Sequence, residues 1–240
     1  MSDFAPAKNL GRLREFPAVV APIVGLEALR SLGGKSLQEC CDFVELRLDT
    51  LTGAGDGEIG AALGGLPLPA ILTARRADEG GEGDLGPAER EELLIRHLGA
   101  PVAMVDIEVR SLAEMGGAIE AARGHGAALL ASFHDFAKAP PAGELDAIIA
   151  KAAEAGAEAC KIAVRLDTVE DLFSLAQLTR EESRLPLSAM GMGPLGKVSR
   201  LLLAQCGSIL NYGFLESANA EGQWPAAQLK DLIAEFADLR

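Results

Sequence analysis

The sequence has little of what marks several common kinds of functional site. Its four cysteines, in 240 residues, form no C-x-x-C pair and no disulfide framework, which is typical of reduced thiols. Its 22 Lys and Arg stand against 35 Asp and Glu, so that the formal net charge is −13. This acidic balance disfavours nucleic acid or an anionic membrane as a partner. A small anionic substrate requires basic side chains to converge locally.

Long apolar runs are also missing. None of the apolar stretches is long enough to cross a membrane, and Met1 to Glu15 mix charges without an apolar core. We therefore expect no signal peptide, a polar leader over residues 1–16, and a cytoplasmic protein.

Several familiar sequence signatures are absent or incomplete. There is no G-x-S-x-G elbow and no G-x-G-x-x-G after a strand. Residues 191–198 resemble a P-loop, but Val198 stands where Ser or Thr would bind Mg²⁺, which disfavours a nucleotide site. His97, His125 and His134 show no metal-ligand spacing.

What the sequence does contain is a regular alternation of short apolar runs and helical patterns. The predicted strands are 18–24, 43–48, 70–74, 102–109, 127–133, 158–164, 185–190 and 208–214. Eight βα units in this length predict a single-domain (β/α)8 TIM barrel over residues 17–240. A doubly wound open sheet is the alternative, because strand count does not show closure. Ser111 with Glu114, and Thr168 with Asp171, predict capping boxes at two helix starts.

Two of the predicted strands carry unusual residues. His134 follows an apolar run at the end of the fifth strand, and Lys161 lies inside the sixth. A lysine in an apolar strand is costly unless its charge is paired or lost, and a neutral lysine is a nucleophile toward carbonyls. On neighbouring strands, about 4.8 Å apart, the two residues could act on one substrate. Either residue alone is more often an ordinary core or snorkelling side chain; the pair favours a catalytic site.

Charged residues occupy nearly every carboxyl end of the predicted strands, where barrel enzymes have their active sites. Arg47, Arg75 and Arg200 supply the local positive charge that the composition lacks. The carboxylates at these ends are Glu45, Asp49, Glu79, Asp106 and Glu108. Some of them could form a metal site, but carboxylates interleaved with arginines more often form ion pairs.

Five segments, in order and spacing, resemble type I 3-dehydroquinate dehydratase, and the similarity covers about residues 17 to 240. They are Glu45-Leu46-Arg47-Leu48-Asp49, Thr73-Ala74-Arg75 with Glu79-Gly80-Gly81, Ser132-Phe133-His134-Asp135-Phe136, Lys161, and Met190-Gly191-Met192-Gly193 through Ser199-Arg200. The last loop departs from the family's S-A-P-G-Q, because Asn219 replaces the serine and Glu221 replaces the proline.

The resemblance implies a cofactor-free, homodimeric barrel that dehydrates 3-dehydroquinate to 3-dehydroshikimate in the shikimate pathway. It implies that Lys161 forms a Schiff base, that His134 is the general acid and base, and that Glu79 orients His134. Arg200 would bind the substrate carboxylate, and Glu45, Arg47 and Arg75 the ring hydroxyls. Asn219 and Gln223 would reach the substrate from a mobile lid, residues 217–223. Asp49, Asp106 and Glu108 would be supporting residues.

Two other functions remain open on the sequence. One is a different lysine-dependent lyase, such as an aldolase, on the same barrel. The other is a catalytically silent binding protein. The Glu45-Arg47 strand end and Ser199-Arg200 count against the first, and the presence of both His134 and Lys161 counts against the second.

Overall fold

The computed structural model describes residues 13, 17–32, 36–218 and 220–237. The strands are β1 (Ala18–Ile23), β2 (Phe43–Arg47), β3 (Ala70–Thr73), β4 (Val102–Glu108), β5 (Ala128–Asp135), β6 (Ala159–Arg165), β7 (Leu187–Met192) and β8 (Leu210–Tyr212). All eight predicted strands are present, and no boundary differs from the prediction by more than about two residues.

Helices follow the strands around the outside. They are α1 (Gly25–Arg30), α2 (Leu37–Cys40), α3 (Asp56–Gly64), α4 (Pro87–Arg96), α5 (Gly116–Gly124), α6 (Ala142–Glu154), α7 (Val169–Glu181), α8 (Gly196–Gln205) and α9 (Ala226–Ala237). Short 3-10 turns cover Leu48–Thr50, Ala77–Glu79 and Gly193–Leu195. Within the described part of the chain, no helix is long and apolar enough to cross a membrane.

The sheet closes into a barrel. Its parallel strands run in chain order from β1 to β7, and β8 pairs with β1. The two ends of this order meet, since the Ile209 amide donates to the Leu187 carbonyl at 2.8 Å and Ser188 Oγ donates to the Leu210 carbonyl at 2.7 Å. The (β/α)8 prediction is therefore confirmed, and the open doubly wound sheet is wrong.

Each strand buries both of its faces. The outer face packs on the helices in one large apolar cluster, while inward residues such as Phe43, Ile71 and Leu130 form a separate cluster inside the barrel. Two residues further along their strands, the inward positions change to Glu45, Thr73 and Ser132, all buried. The barrel thus has an apolar floor and a polar layer near the carboxyl ends of the strands, and buried charges there need partners.

One of the two predicted capping boxes is confirmed. Thr168 Oγ1 accepts the Asp171 amide at 3.2 Å, and Asp171 accepts the Thr168 amide at 3.0 Å, at the start of α7. The cap predicted at Ser111 is wrong, because α5 begins at Gly116 and the Ser111 hydroxyl instead accepts Arg90 Nη2 at 2.9 Å. Of the predicted leader, only Leu13 lies within the described residues, and it packs against the interior cluster.

Candidate active site

A cavity at the carboxyl ends of the strands collects most of the predicted site residues. Its lining includes Glu45, Arg47, Arg75, Glu79, His134, Lys161, Arg200 and Gln223. Asn219 lies outside the described residues. These residues come from the ends of five strands, β2, β3, β5, β6 and β7, and from the loop after β8. They converge as expected of a barrel whose strands all point the same way.

Lys161 is buried at the base of this cavity and is paired. Its Nζ donates to Asp106 Oδ2 at 2.8 Å and to Glu45 Oε1 at 3.4 Å. The same nitrogen lies 4.3 Å from the centroid of the Tyr212 ring, on its face. Of the two ways to bury a lysine, pairing its charge or losing it, the resting structure has the first.

Asp106 has a larger role in the geometry than the sequence indicated. It also accepts Arg75 Nη2 at 2.9 Å and Ser132 Oγ at 2.6 Å. Burial alone would raise the pKa of Asp106, but the positive charges of Arg75 and Lys161 hold it below its usual value. We expected a supporting residue, and Asp106 instead contacts the lysine amine directly while remaining an anion.

The guanidinium of Arg75 donates hydrogen bonds to three buried side chains of the protein. Its Nη1 donates to Glu108 at 2.9 Å and to Ser132 Oγ at 2.7 Å, in addition to the Asp106 contact. Burial would lower the pKa of Arg75, but the facing carboxylates of Asp106, Glu108 and Glu45 raise it above its ordinary value. Arg75 lines the cavity, and its guanidinium also holds Asp106 in position beside Lys161.

His134 and Lys161 lie on neighbouring strands, as predicted. In the β5–β6 register Lys161 is opposite Ser132, so that His134 lies two residues nearer the cavity mouth on the same face. Glu79 Oε2 accepts the His134 backbone amide at 2.9 Å and lies 3.1 Å from Nδ1. The predicted contact between Glu79 and His134 is present, and it aims the Nε2 edge of the ring away from Glu79.

Both of these groups have shifted pKa values. Burial, followed by the nearby charges of Arg75 and Lys161, lowers the pKa of His134 well below its usual value. Burial and the Glu108 carboxylate raise the pKa of Glu79 to about 7. His134 is therefore neutral at neutral pH. With Glu79 ionised, Nδ1 carries the proton and Nε2 is free to act as a base.

Arg47 and Asp49 form a bidentate ion pair at the end of β2. Arg47 Nε and Nη2 donate to the two Asp49 oxygens at 3.0 and 2.8 Å, and Nη2 also donates to the Gly80 carbonyl at 2.9 Å. Asp49 further accepts the backbone amides of Arg75 and Glu82. Asp49 is thus structural, as expected, because it joins the ends of β2 and β3 to the loop after Glu79.

Arg200 is buried among backbone carbonyls. Its Nε donates to Tyr212 at 2.9 Å, and its Nη1 donates to Gly191, Gly196 and Gly222 at 2.8, 2.9 and 2.6 Å. Burial lowers the pKa of Arg200 to about 10. Its partners within the described residues are carbonyls rather than carboxylates, so that the charge has no counter-ion there and Nη2 takes part in none of these bonds.

The loop after β8 is held against the α8 turn by its backbone. Gly222 has a φ of +80°, and a Cβ there would come within 2.6 Å of Gly196 Cα. The Gly193 amide donates to the Glu221 carbonyl at 3.3 Å, and the Glu221 carboxylate pairs with Arg165 at 3.4 Å. This close approach brings Gln223 to the cavity wall.

The carboxylates at the strand ends form ion pairs, as expected. Among the described residues, no three His, Cys, Asp or Glu side chains lie together in a way that could hold a metal ion. The cavity wall also includes apolar and aromatic residues to which the sequence analysis gave no role, among them Phe136, Met190, Met192 and Tyr212. Their positions near strand ends could have placed them in the site, but uncharged side chains at such positions are indistinguishable from core residues in the sequence.

Comparisons with known proteins agree with one another. The family described as type I 3-dehydroquinase matches residues 26–238. A 3-dehydroquinate dehydratase of Aromatoleum aromaticum is 35% identical over 236 residues, covering 90% of this chain and 89% of the relative. One from Methanosarcina acetivorans is 33% identical over 234 residues, covering 92% and 95%. The crystal structure of 3-dehydroquinate dehydratase from Geobacillus kaustophilus superposes with a TM-score of 0.84 at 26% identity, covering 92% of this chain and 91% of that one.

Proposed function

The chain belongs to the type I 3-dehydroquinase family, and we propose from this premise that Lys161 and His134 are its catalytic pair. The reaction is the dehydration of 3-dehydroquinate to 3-dehydroshikimate and water, in the shikimate pathway, through a lysine Schiff base. Family membership decides against the aldolase and the silent binding protein. The observation that carries the residue assignment is the buried Lys161 amine, with neutral His134 two positions along the neighbouring strand.

The first half of the reaction makes an electron sink. Lys161 transfers a proton to His134 Nε2, and its nitrogen attacks the C3 carbonyl carbon of the substrate. The C3 oxygen then leaves as water as the C=N bond forms, and its two protons both come from the Lys161 nitrogen by way of His134. The resulting iminium withdraws electrons from the adjacent C2–H bond and acidifies it. Asp106, held as an anion 2.8 Å from Nζ, keeps the nitrogen protonated and so keeps the sink active.

The second half uses His134 in both directions. Its Nε2 removes the C2 proton, and the electron pair moves to form the C1–C2 double bond as the C1 hydroxyl leaves with a proton from His134. A water molecule then hydrolyses the product iminium and restores Lys161. One water is consumed and two are released, so that the net products are 3-dehydroshikimate and one water.

The remaining predicted residues position the substrate. Arg200 is a charged donor without a carboxylate partner in the described site, which supports its role in binding the substrate carboxylate. Glu45 and Arg47 remain our candidates for the ring hydroxyls, with Arg75 contributing through its hold on Asp106. Gln223 and Asn219 remain the proposed contacts from the loop.

Borohydride trapping tests the assignment. Incubation with 3-dehydroquinate should give turnover, and reduction during turnover should add one substrate-derived mass to the peptide that contains Lys161. Lys161→Ala should abolish both, whereas Lys151→Ala, which removes an exposed lysine of α6, should change neither. Adduct on another peptide, or full activity in Lys161→Ala, would refute the assignment.

We further propose a homodimer in the cytoplasm. The family resemblance supports the dimer. The four cysteines, Cys40, Cys41, Cys160 and Cys206, form no disulfide within the described residues, which supports a reducing compartment. Sedimentation equilibrium of the full chain tests the dimer, because a single species of about 25.0 kDa would contradict it. Cell fractionation tests the compartment.

A further inference from the structure

Tyr212 has a buried hydroxyl that the structure leaves without a partner. The residue is 4% exposed and lies at the end of β8, facing the barrel interior. Its Oη has no hydrogen-bond partner among the residues that the structure describes. A buried hydroxyl without a partner costs stability, whereas phenylalanine in the same place would avoid that cost.

The ring of Tyr212 is next to the reacting nitrogen. Lys161 Nζ lies on the ring face, 4.3 Å from the centroid, and Tyr212 lines the same cavity as Lys161 and His134. The electron-rich face stabilises positive charge on that nitrogen, before and after imine formation. The ring of a phenylalanine would stabilise the positive charge equally. This interaction therefore does not explain why the residue carries a hydroxyl.

Neither of the groups hydrogen-bonded to the Lys161 amine can donate to the substrate oxygen. The protein groups that Nζ contacts by hydrogen bond are the carboxylates of Asp106 and Glu45. When the amine attacks a carbonyl, negative charge develops on an oxygen attached to the same carbon, and carboxylates repel it. A neutral donor beside the nitrogen lowers this barrier, as donors of an oxyanion hole do.

We propose that Tyr212 is a further catalytic residue, whose hydroxyl donates a hydrogen bond to the carbonyl oxygen of the substrate while Lys161 adds to its carbon. The hydroxyl keeps its own proton throughout. In the addition, the C–N bond forms and the carbonyl π pair moves to oxygen. That oxygen then leaves as water as the C=N bond forms, and its two protons come from the Lys161 nitrogen by way of His134. This inference rests on the proposed Schiff-base function.

The state of the hydroxyl agrees with this role. Burial, followed by the carboxylates of Glu45 and Asp106, raises the pKa of Tyr212 well above its ordinary value. The group is therefore protonated throughout the physiological range, and it serves as a donor rather than as a base.

Tyr212→Phe tests the proposal because it removes the hydroxyl and keeps the ring. We expect its thermal midpoint to rise by about 2–4 °C, since a cost of folding is removed. We expect the rate of borohydride-trappable adduct formation, and with it kcat/KM, to fall by about tenfold or more. A purely structural tyrosine would give the first change without the second.

Thr179→Val is the matched control. Its hydroxyl is also buried, but it donates to the Leu175 carbonyl at 2.7 Å, so that its loss should not raise the midpoint and should leave activity unchanged. Tyr212 is the only tyrosine in the chain, so that fluorotyrosine labelling gives a single fluorine resonance. That resonance should shift when substrate is trapped on Lys161.

Two outcomes would overturn the proposal. One is a Tyr212→Phe protein with parental kcat/KM. The other is a rise in KM with an unchanged rate of adduct formation, which would place the hydroxyl on another substrate group. Failure of the parent protein itself to turn over or trap 3-dehydroquinate would instead contradict the proposed function, whatever the variant does.

Discussion

Asp106 and Lys161 meet in a buried ion pair although their strands are not neighbours. β4 and β6 are separated by β5, yet Asp106 Oδ2 lies 2.8 Å from Lys161 Nζ. Ser132 of the intervening strand donates to the other Asp106 oxygen at 2.6 Å. The contact is possible because all three side chains point into the barrel, and it places a fixed anion beside the nitrogen that we propose forms the imine.

Asp106→Asn should lose most of its activity and much of its stability. The change leaves the buried charges of Arg75 and Lys161 short of an anion, and removing one partner of such a network costs about 3–5 kcal/mol. Denaturant unfolding and single-turnover trapping measure the two effects. Asp167→Asn is the control, because Asp167 pairs with Arg165 at the surface, where about 1 kcal/mol or less is expected. Normal trapping in a folded Asp106→Asn protein would contradict this role.

Glu79 should set the acidic limb of the pH profile. Its pKa is raised from 4.5 to about 7, and a protonated Glu79 can donate to His134 Nδ1, which moves the imidazole proton to Nε2 and removes the base. We expect kcat/KM of the parent to fall as pH drops through about 7. Glu79→Gln should lack this limb and have a lower plateau. Glu82→Gln, an exposed change in the same loop, should keep the parental profile.

The Glu79 carboxyl group should lower the stability of the folded protein as the pH rises, whereas it raises activity over the same range. The folded protein holds the Glu79 proton up to about pH 7, while the unfolded chain releases it near its ordinary value of 4.5. Stability from this group is therefore lost as pH rises between these values. Glu79→Gln should gain in thermal midpoint relative to the parent between pH 5 and pH 8. If the difference in thermal midpoint between Glu79→Gln and the parent does not change between pH 5 and pH 8, Glu79 is already ionised at pH 5.

Arg200→Lys should bind substrate poorly. Four backbone carbonyls orient the guanidinium, and an ammonium cannot reproduce its planar fork. A lost buried charge pair of about 2–5 kcal/mol corresponds to an increase in KM of roughly 30-fold or more. The sharper measurement compares a substrate-like carboxylate with its neutral amide, because only the parent should prefer the carboxylate. Arg180→Lys, at an exposed position of α7, is the control. A retained preference in Arg200→Lys would contradict carboxylate binding.

Gly222→Ala should displace the loop after β8. The new Cβ would lie 2.6 Å from Gly196 Cα and 2.8 Å from the Gly193 carbonyl oxygen. Gly83 has the same φ of +80° with no atom within 4 Å of its Cβ position, so that Gly83→Ala tests backbone strain alone. We expect both variants to lose some stability, and KM to rise only in Gly222→Ala.

Hydrogen exchange of residues 217–223 tests whether this loop is a lid. Saturating ligand should increase protection there in the parent and much less in Gly222→Ala. Equal protection with and without ligand in the parent would mean that the loop is a fixed wall of the cavity.

The sequence by itself predicted the eight βα units and singled out the proposed catalytic pair. Alternating apolar runs and helical patterns specify local structure and buried faces, and eight such units in this length leave few arrangements. His134 and Lys161 were visible because a charged or titratable residue in an apolar strand is rare. Thr168 and Asp171 form their cap within four residues of chain, which is also local information.

Only the tertiary structure decided which buried groups pair. Closure depends on contacts between β7 and β8, and the Asp106–Lys161 contact crosses a whole strand; neither leaves a local pattern. Strand alternation says that Arg75 and Asp106 point inward, but not that Arg75 binds Asp106. At Ser111 the local pattern gave a wrong prediction, because its hydroxyl accepts a long-range hydrogen bond from Arg90 instead of capping a helix. Tyr212 was missed because a neutral aromatic in a strand looks like core, and only its position beside Lys161 gives its hydroxyl a use.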